Sequence, residues 1–308
     1  MFYYWLTLNI PPIREHTSLI QPRLVQIHLS RYAIFFKLLD LELSQTKAET
    51  VQELRICLQH AIDAMRSTET PVTAIASGSE LFLRFITLAT LDTPSIAECK
   101  GIMLERGKVF YEKLVAARGK VAKVAAHFIT DGSTILTHSK SRVVLQAMKE
   151  AAASNKIFEV YVTSTSDNNG EEMCQSLTKL GISCTVILDS AVGYVMEHID
   201  MVMVGAEGVA ESGGVINKTY TMAICAKEVK KPFYVLTESF KFSRIYPLNQ
   251  IDLPNEFKYT YSVLLTKNLK KEHPLVDYTP PHYISLLFTD LGILTPSAVS
   301  DELIKLYL

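Results

Sequence analysis

The stretch Asp200-Met201-Val202-Met203-Val204-Gly205-Ala206-Glu207-Gly208-Val209 indicates the fold more directly than any other part of the chain. It begins as a short apolar run bounded by Asp and Gly, which is typical of a buried strand in a parallel sheet. Glu207 ends that strand, and Ser212-Gly213-Gly214 and Asn217-Lys218 follow closely. Because ligands of open α/β sheets bind outside the carboxyl ends of the strands, this arrangement predicts a small-anion site. The alternative is a glycine-rich loop with a solvated Glu.

The composition is that of a globular protein and excludes several classes of function. The chain has 308 residues, a formal net charge of −1 and five cysteines. No basic field indicates direct nucleic-acid binding. The number of cysteines is odd, and no two of them form a CxxC pair. This indicates a reducing compartment and argues against a disulfide framework and against a zinc site. No apolar run is long enough to span a membrane, and residues 1–6 lack the basic flank of a signal peptide. We expect a cytosolic protein without metal or cofactor.

The spacing of apolar residues changes along the chain and predicts its domains. Residues 1–45 form an atypical segment interrupted by prolines. From residue 46 to residue 117, apolar residues recur at spacings of three and four positions. This predicts a helical domain with helices 48–65 and 96–114. From 118 to 308, a helix at 121–129 is followed by alternating strands and helices, which predicts a Rossmann-like α/β domain with a parallel sheet. The predicted strands are 134–138, 159–163, 184–188, 201–204, 233–236 and 283–288, and the predicted helices are 142–153, 171–180, 191–197, 220–229 and 296–308.

The loop after the first predicted strand combines hydroxyls with cations. Ser139-Lys140-Ser141-Arg142 leads straight into a predicted helix. Hydroxyls, a cation and a helix N-terminus together suit a phosphate, so Ser139, Ser141 and Arg142 are predicted ligand contacts. The alternative is a hydroxyl-rich helix cap with exposed basic residues. His138 is either a general base or, as we favour, a residue that packs at a strand end.

Three further places complete the predicted site. Ser77-Gly78-Ser79 lies just before an apolar helical run, which predicts an N-cap region with free amides facing a ligand. Glu207, Asn217 and Lys218 border the loop after the fourth strand and offer partners for sugar hydroxyls and phosphate. Asp189 follows the third strand and is either a ligand contact or, as we favour, the N-cap of the next helix.

Several segments of the chain match one family in a single register from about residue 48 to 308. The segments are Ser77-Gly78-Ser79-Glu80-Leu81-Phe82-Leu83-Arg84-Phe85, Leu136-Thr137-His138-Ser139, Val204-Gly205-Ala206-Glu207-Gly208-Val209, Glu238-Ser239-Phe240-Lys241-Phe242, Pro247-Leu248-Asn249-Gln250, Leu286-Leu287-Phe288-Thr289-Asp290-Leu291-Gly292 and 294–307. Together they resemble the alpha-subunit family of eukaryotic translation initiation factor 2B.

This resemblance implies a regulatory, non-catalytic role in translation initiation and the integrated stress response. In that family, the alpha, beta and delta subunits form the regulatory core of the guanine-nucleotide exchange factor for initiation factor 2. The core senses phosphorylation of the alpha subunit of initiation factor 2, and another subunit carries the exchange chemistry. The implied partners are a second copy of the chain, the beta, delta, gamma and epsilon subunits, and initiation factor 2 itself.

The family shares its fold with the isomerases of methylthioribose 1-phosphate and ribose 1,5-bisphosphate. In those enzymes a Cys follows the Thr-His pair and an Asp follows Gly-Ala, whereas this chain has Ser139 and Glu207 at the matching positions. A serine hydroxyl is a poor acid or base at neutral pH, and the longer Glu displaces its carboxylate. The resemblance therefore implies a degenerate isomerase site that keeps a pocket for a sugar phosphate or a nucleotide. The alternatives are a working sugar-phosphate isomerase and a sugar-phosphate- or nucleotide-binding protein outside translation.

The chain departs from the family at two places. The family has Ile-Gly between the Asn-Lys pair and the next Thr, whereas Asn217-Lys218 is followed directly by Thr219, so the loop is two residues shorter. Residues 1–45 do not resemble the usual N-terminus of the family.

The C-terminal region, residues 240–308, is rich in apolar residues and loops. It carries more hydrophobic surface than the edge of a monomer leaves exposed, which predicts that it forms much of an isologous homodimer interface.

Overall fold

The computed structural model describes residues 50–66, 73–87, 95–164, 169–259 and 273–307, so the predictions for residues 1–45 lie outside it. The chain divides into two compact units between Tyr111 and Glu112, a few residues before the predicted boundary at 117. The helices, in chain order, are α1 (Val51–Arg66), α2 (Thr73–Thr87), α3 (Ile96–Ala126), α4 (Arg142–Ala153), α5 (Asn169–Thr178), α6 (Val192–Val195), α7 (Tyr220–Glu228), α8 (Asn255–Lys258) and α9 (Ala298–Tyr307).

The first unit is helical where it is described. Leu54, Leu58 and Ile62 of α1 recur every fourth residue and are buried, which confirms the predicted amphipathic helix. The helix begins after Thr50, whose Oγ1 accepts a hydrogen bond from the amide of Glu53 at 3.1 Å.

The predicted break between helices at 96–114 and 121–129 is wrong, because α3 is one helix of 31 residues. Gly119 lies inside it with no heavy atom within 4 Å of the place where a Cβ would stand. The buried face continues past the glycine through Ala117, Val121 and Ala125. Packing along one face outweighs the low helix propensity of a single glycine, which amounts to about 1 kcal/mol.

The second unit is built on a seven-stranded sheet. The strands, in chain order, are β1 (Thr134–His138), β2 (Glu159–Ser164), β3 (Ser183–Leu188), β4 (Met201–Gly205), β5 (Gly208–Ala210), β6 (Val215–Asn217), β7 (Phe233–Leu236), β8 (Phe242–Ser243), β9 (Asp277–Thr279), β10 (Leu286–Thr289) and β11 (Gly292–Leu294). The order of the main sheet is β11-β10-β7-β4-β1-β2-β3, and every pair except β10–β11 is parallel. This confirms the Rossmann-like α/β fold.

Burial explains why the central strands read as unbroken apolar runs. All five residues of β4 are buried, because the strand lies in the middle of the sheet with helices packed against it. One core cluster joins Ile135 of β1, Met203 of β4 and Phe288 of β10 to α3, α4 and α5.

A second, four-stranded sheet in the order β8-β5-β6-β9 was not predicted. Its strands contain two or three residues each, too few for the alternation of apolar and polar residues to show in the sequence. Residues 208–217, predicted as a glycine-rich loop, form the β5–β6 hairpin. The antiparallel register of β6 with β9 places Asn217 opposite Asp277.

The end of the chain differs from the predicted elements in detail. The predicted strand 283–288 begins later, at Leu286, because Pro281–Tyr283 forms a 3-10 turn. The chain then reverses through Gly292, whose φ of 132° favours glycine, and returns as the antiparallel edge strand β11. The final helix begins at Ala298 rather than at residue 296.

Candidate functional site

The carboxyl end of β4 packs directly against the start of α4. A Cβ added to Gly205 would lie 2.5 Å from Ser141 Oγ, so only glycine fits at this position without a shift of its neighbour. Ser141 is the N-cap residue of α4, but its side chain makes no capping hydrogen bond. The predicted contact residues of the first loop and the end of the fourth strand therefore meet at one edge of the sheet.

Ser139 has an uncommon backbone conformation in this loop. Its φ is 50°, in the left-handed region that non-glycine residues seldom adopt, and its amide donates to Thr163 O at 3.0 Å. Its side chain is half-buried, whereas Arg142 at the start of α4 is exposed. Lys140 is paired with Glu172 at 2.6 Å. Ser139, Ser141 and Arg142 lie between the end of β1 and the first turn of α4, and their contact with a phosphate stays a prediction.

His138 packs at the strand end, as favoured from the sequence. It is 8% exposed, and its Nδ1 lies 2.7 Å from Thr163 Oγ1 and 3.6 Å from Asp189 Oδ1. The prediction that Asp189 caps the next helix is wrong. Leu188 occupies the cap position of the 3-10 turn Asp189–Ala191, and no side chain caps it. Proximity to His138 lowers the pKa of the Asp189 carboxyl, burial partly offsets this, and Thr163 and the charge of Lys218 lower it further.

The β5–β6 hairpin brings Glu207, Asn217 and Lys218 back to the end of β4. Asn217 Nδ2 donates to Gly205 O at 2.6 Å, and the amide of Glu207 donates to Ile216 O at 3.0 Å. The side chains of Glu207 and Lys218 are exposed. Asn217 therefore holds the hairpin in place through its amide, while the acid and the cation remain accessible to a ligand.

Asp277 belongs to this site but was missed from the sequence. Its Oδ1 and Oδ2 accept hydrogen bonds from the amides of Thr219 and Tyr220, each at 3.0 Å, so it caps α7 from 58 and 57 residues away. Burial raises the pKa of its carboxyl, while these two hydrogen bonds and the charges of His138 and Lys218 oppose the shift. No local pattern could have shown this contact, because it depends on the register between β6 and β9.

The Asp277 cap decides whether the backbone amides after Lys218 can bind an anion. α7 begins at Tyr220, directly after Thr219, and the amides of both residues are bonded to the Asp277 carboxylate. A helix N-terminus attracts anions through such amides. Here a carboxylate of the chain itself occupies that position, so the amides of Thr219 and Tyr220 are not available to an anionic ligand.

A second group of charges was also missed and lies at the end of β7. Glu238 is 2% exposed, and its carboxylate is 2.8 Å from Lys241 Nζ and 3.4 Å from Arg118 Nε. Lys241 Nζ also donates to Ala206 O at 2.8 Å, which ties the group to the end of β4. Burial raises the pKa of the Glu238 carboxyl, but Lys241 and Arg118 outweigh it, and the pKa lies below its ordinary value.

The prediction that Ser77-Gly78-Ser79 forms an N-cap is wrong. The three residues lie inside α2, which begins at Thr73, and all three are buried. Only the first turn of a helix has free amides, so these residues have none to offer a ligand. Burial of these three residues outweighs the preference of Ser and Gly for helix ends.

Two kinds of site are absent from the part of the chain that the structure describes. Within residues 50–66, 73–87, 95–164, 169–259 and 273–307, no three His, Cys, Asp or Glu side chains are grouped so that they could hold a metal ion. Over the same ranges, no helix has the length and apolar character needed to cross a bilayer.

Comparison with known proteins identifies the family. A model of the Initiation factor 2 subunit family matches residues 30–296. The chain is 43% identical over 272 residues to a translation initiation factor eIF2B subunit alpha of Caenorhabditis elegans, covering 86% of this chain and 89% of that one. It is also 43% identical over 279 residues to the Dictyostelium discoideum protein of the same description, covering 85% and 87%. A ribose 1,5-bisphosphate isomerase of Archaeoglobus fulgidus is 31% identical over 66% of each chain.

Solved structures show the same fold. The tetrameric eIF2B beta2-delta2 complex from C. thermophilum matches with a TM-score of 0.74 at 19% identity, covering 89% of this chain and 88% of that one. The Pyrococcus horikoshii OT3 translation initiation factor eIF-2B matches with a TM-score of 0.58 at 22% identity, covering 87% and 98%. From the family model and the close relatives, the chain belongs to the Initiation factor 2 subunit family.

Proposed function

We propose that this chain is a regulatory, non-catalytic subunit of translation initiation factor eIF2B. The observation that carries the proposal is 43% identity to two eIF2B alpha subunits over most of both chains. The chain assembles with the beta, delta, gamma and epsilon subunits in the cytosol. It helps this exchange factor to respond to phosphorylation of the alpha subunit of initiation factor 2, as the sequence resemblance implies.

The site at the sheet edge acts as a degenerate isomerase pocket. By the resemblance, Ser139 and Glu207 stand where the isomerases have Cys and Asp, and Nδ1 of His138 is engaged by Thr163 and Asp189. Arg142 and Lys218 bind the phosphate of a small ligand, and Ser139, Ser141, Glu207 and Asn217 lie beside it. Without turnover, such a ligand acts only by binding one assembly state more tightly than another.

The chain also forms a homodimer through its C-terminal region. Part of the apolar content of residues 240–308 lies inside the second unit, where Phe242 and Phe257 are buried. The remainder is exposed: Tyr246, Leu248 and Ile251 are 65%, 76% and 84% exposed. Exposed apolar side chains grouped within one loop support an interface with a second copy. Light scattering at micromolar concentration should give twice the monomer mass, and a stable monomer would contradict the dimer.

Affinity purification tests the assignment to eIF2B. The tagged full-length chain is purified from a eukaryotic cytosolic extract, and the co-purifying chains are identified by mass spectrometry. We expect the other four eIF2B subunits in near-equal amounts. Their absence, with the tagged chain folded and recovered, would contradict the proposal.

An isomerase assay tests the non-catalytic part separately. Ribose 1,5-bisphosphate and methylthioribose 1-phosphate are offered to the purified protein, and the ketose product is measured. We expect no turnover. Turnover that disappears in both Ser139→Ala and Glu207→Ala would show a working isomerase.

A further inference from the structure

We propose that Cys174 and Cys184 form a redox modification site, which a small-molecule disulfide such as glutathione disulfide converts into a disulfide bond within the chain. The site lies between helix α5 and the edge strand β3, a part of the second unit that the proposed function does not use. Cys174 is inside α5, and Cys184 follows it by ten positions, in β3. Both cysteines are reduced in the structure, and both are half-buried.

The first argument is that the fold brings the two side chains into contact. The Cys174 thiol donates a hydrogen bond to Cys184 O, and the sulfur and the oxygen are 3.4 Å apart. The thiols of the two residues are also within hydrogen-bonding reach of each other. A disulfide forms without backbone movement only where two cysteines lie close together and their side chains point toward each other. The contact between Cys174 and Cys184 fits that requirement.

The second argument is that both cysteines face one open groove between α5 and β3. Cys174 lines this groove together with Val186 of β3. Alternate residues of a strand point to the same face, so Cys184 faces α5 from the same side as Val186. The side chain of Val186 is 37% exposed, and β3 is at the end of the strand order of the main sheet. A dissolved reagent can therefore reach the Cys174 thiol through the groove.

The reaction has two thiol–disulfide exchange steps. The Cys174 thiolate attacks one sulfur of glutathione disulfide, the sulfur–sulfur bond of the reagent breaks, and one glutathione leaves. Cys184 then loses its proton and attacks the Cys174 sulfur, which releases the second glutathione. The protons lost by the two cysteines end on the two departing glutathione molecules. Two protein thiols are thus oxidised, and one glutathione disulfide is reduced.

The surroundings of the two thiols assign the order of attack. Burial raises the pKa of the Cys184 thiol, and the hydrogen bond and the charge of Cys174 raise it further. Only the thiolate is a good nucleophile, so the first attack falls to Cys174, which also borders the open groove. In the mixed disulfide, Cys174 no longer carries a thiol or a charge, so its contribution to the raised pKa of Cys184 is lost. Cys184 is then easier to deprotonate and closes the bond.

Thiol trapping tests the proposal on the purified full-length protein. The protein is equilibrated with glutathione and glutathione disulfide at increasing proportions of the disulfide, alkylated and digested, and its peptides are identified by mass spectrometry. We expect most chains to contain a Cys174–Cys184 cross-link at proportions where Cys57, Cys99 and Cys225 are still alkylated. A non-reducing gel should show this form at the mass of one chain. Alkylation of both cysteines at every proportion, or a mixed disulfide on Cys174 that never closes, would overturn the proposal.

Variants separate the roles of the two cysteines. In Cys184→Ser, Cys174 should accumulate as a mixed disulfide with glutathione, whereas in Cys174→Ser, Cys184 should stay reduced. Cys225→Ser changes a half-buried cysteine of α7 and is the matched control, which should form the cross-link like the unaltered protein. A cross-link to another cysteine in either site variant would contradict the pairing. These results are independent of the eIF2B assignment, whose failure would appear only in the purification.

Discussion

Asp277 and Glu238 are carboxylates withdrawn from solvent beside the same edge of the sheet, yet their pKa values move in opposite directions. Burial raises the pKa of both. In Asp277, hydrogen bonds from two backbone amides at the start of α7 offset part of this rise in pKa. Glu238 is compensated by the full charges of Lys241 and Arg118, and its pKa falls below the ordinary value. Amide dipoles can hold a buried carboxylate in place without making it a stronger acid, whereas two adjacent cations do both.

The difference also separates two roles. The Asp277 carboxylate completes a helix cap and uses both of its oxygens, so it has a structural task. Glu238 is more deeply buried, and its carboxylate is paired with the side-chain cations of Lys241 and Arg118. The effects of substitutions at the two positions on stability should therefore differ in size and in pH dependence.

The largest effect is expected for Glu238→Gln. Removal of the negative charge leaves Lys241 and Arg118, 14% and 28% exposed, without their counter-charge. We expect the free energy of unfolding to fall by about 2–3 kcal/mol, less than for a fully buried pair because both cations are partly solvated. Urea denaturation at neutral pH measures it, with Glu228→Gln as the control within about 0.5 kcal/mol. A loss no larger than the control would show that the pair contributes nothing.

Asp277→Ala should have a smaller effect. The substitution leaves the amides of Thr219 and Tyr220 without their acceptor, and loss of a helix cap costs about 1–2 kcal/mol. Asp277→Asn keeps one acceptor oxygen and should lose about half as much in the same denaturation experiment. Equal losses in the two variants would mean that the charge of Asp277, rather than its hydrogen bonds, stabilises α7.

The pH profiles of these variants should diverge in opposite senses. The folded pKa of Glu238 lies below its ordinary value of 4.5, so its contribution is present above pH 4.5 and is lost as the pH falls through the folded pKa. The folded pKa of Asp277 lies above its ordinary value of 3.8, so the folded state binds the proton first and Asp277 favours folding more as the pH falls toward 3.8. The free energy of unfolding is measured from pH 7 to 3.5 for the unaltered protein and for Glu238→Gln and Asp277→Asn. The difference between the protein and each variant should change with pH in opposite directions for the two positions. Parallel slopes would invalidate the comparison.

The smallest effect is expected for Asp189→Asn. Its side chain is 48% exposed and lies 3.6 Å from His138, so solvent screens most of the interaction. We expect a change of less than about 0.5 kcal/mol in unfolding free energy at neutral pH. A loss as large as that of Glu238→Gln would show that exposure does not set the ranking of these carboxylates.

The sequence predicted the main sheet well because its strands carry their own signal. The bounds of β1, α4 and β7 agree with the prediction, since each apolar or amphipathic run ends at residues typical of turns. The errors came where packing outweighs local preference. Ser77-Gly78-Ser79 resembles a helix start but is buried inside α2, and the gap predicted between the helices 96–114 and 121–129 lies within α3.

The candidate site was predictable only in part. Ser139, Ser141, Glu207 and Lys218 follow strands in the sequence, so the rule that ligands bind at carboxyl ends of strands could find them. Asp277 acts on residues 57 and 58 positions earlier through the pairing of two three-residue strands. Arg118 and Glu238 are 120 positions apart in the numbering and meet only because α3 packs along the sheet. Neither contact leaves a local pattern.

The most direct test of the account is nucleotide exchange by a reconstituted eIF2B complex with and without this chain. GDP release from initiation factor 2 is measured while the phosphorylated form of that factor is added. We predict that phosphorylated factor inhibits exchange strongly when the chain is present and much less when it is omitted. Unphosphorylated factor alone should be exchanged in both cases, because the exchange chemistry belongs to another subunit. Equal inhibition with and without the chain would contradict its role as a regulatory subunit.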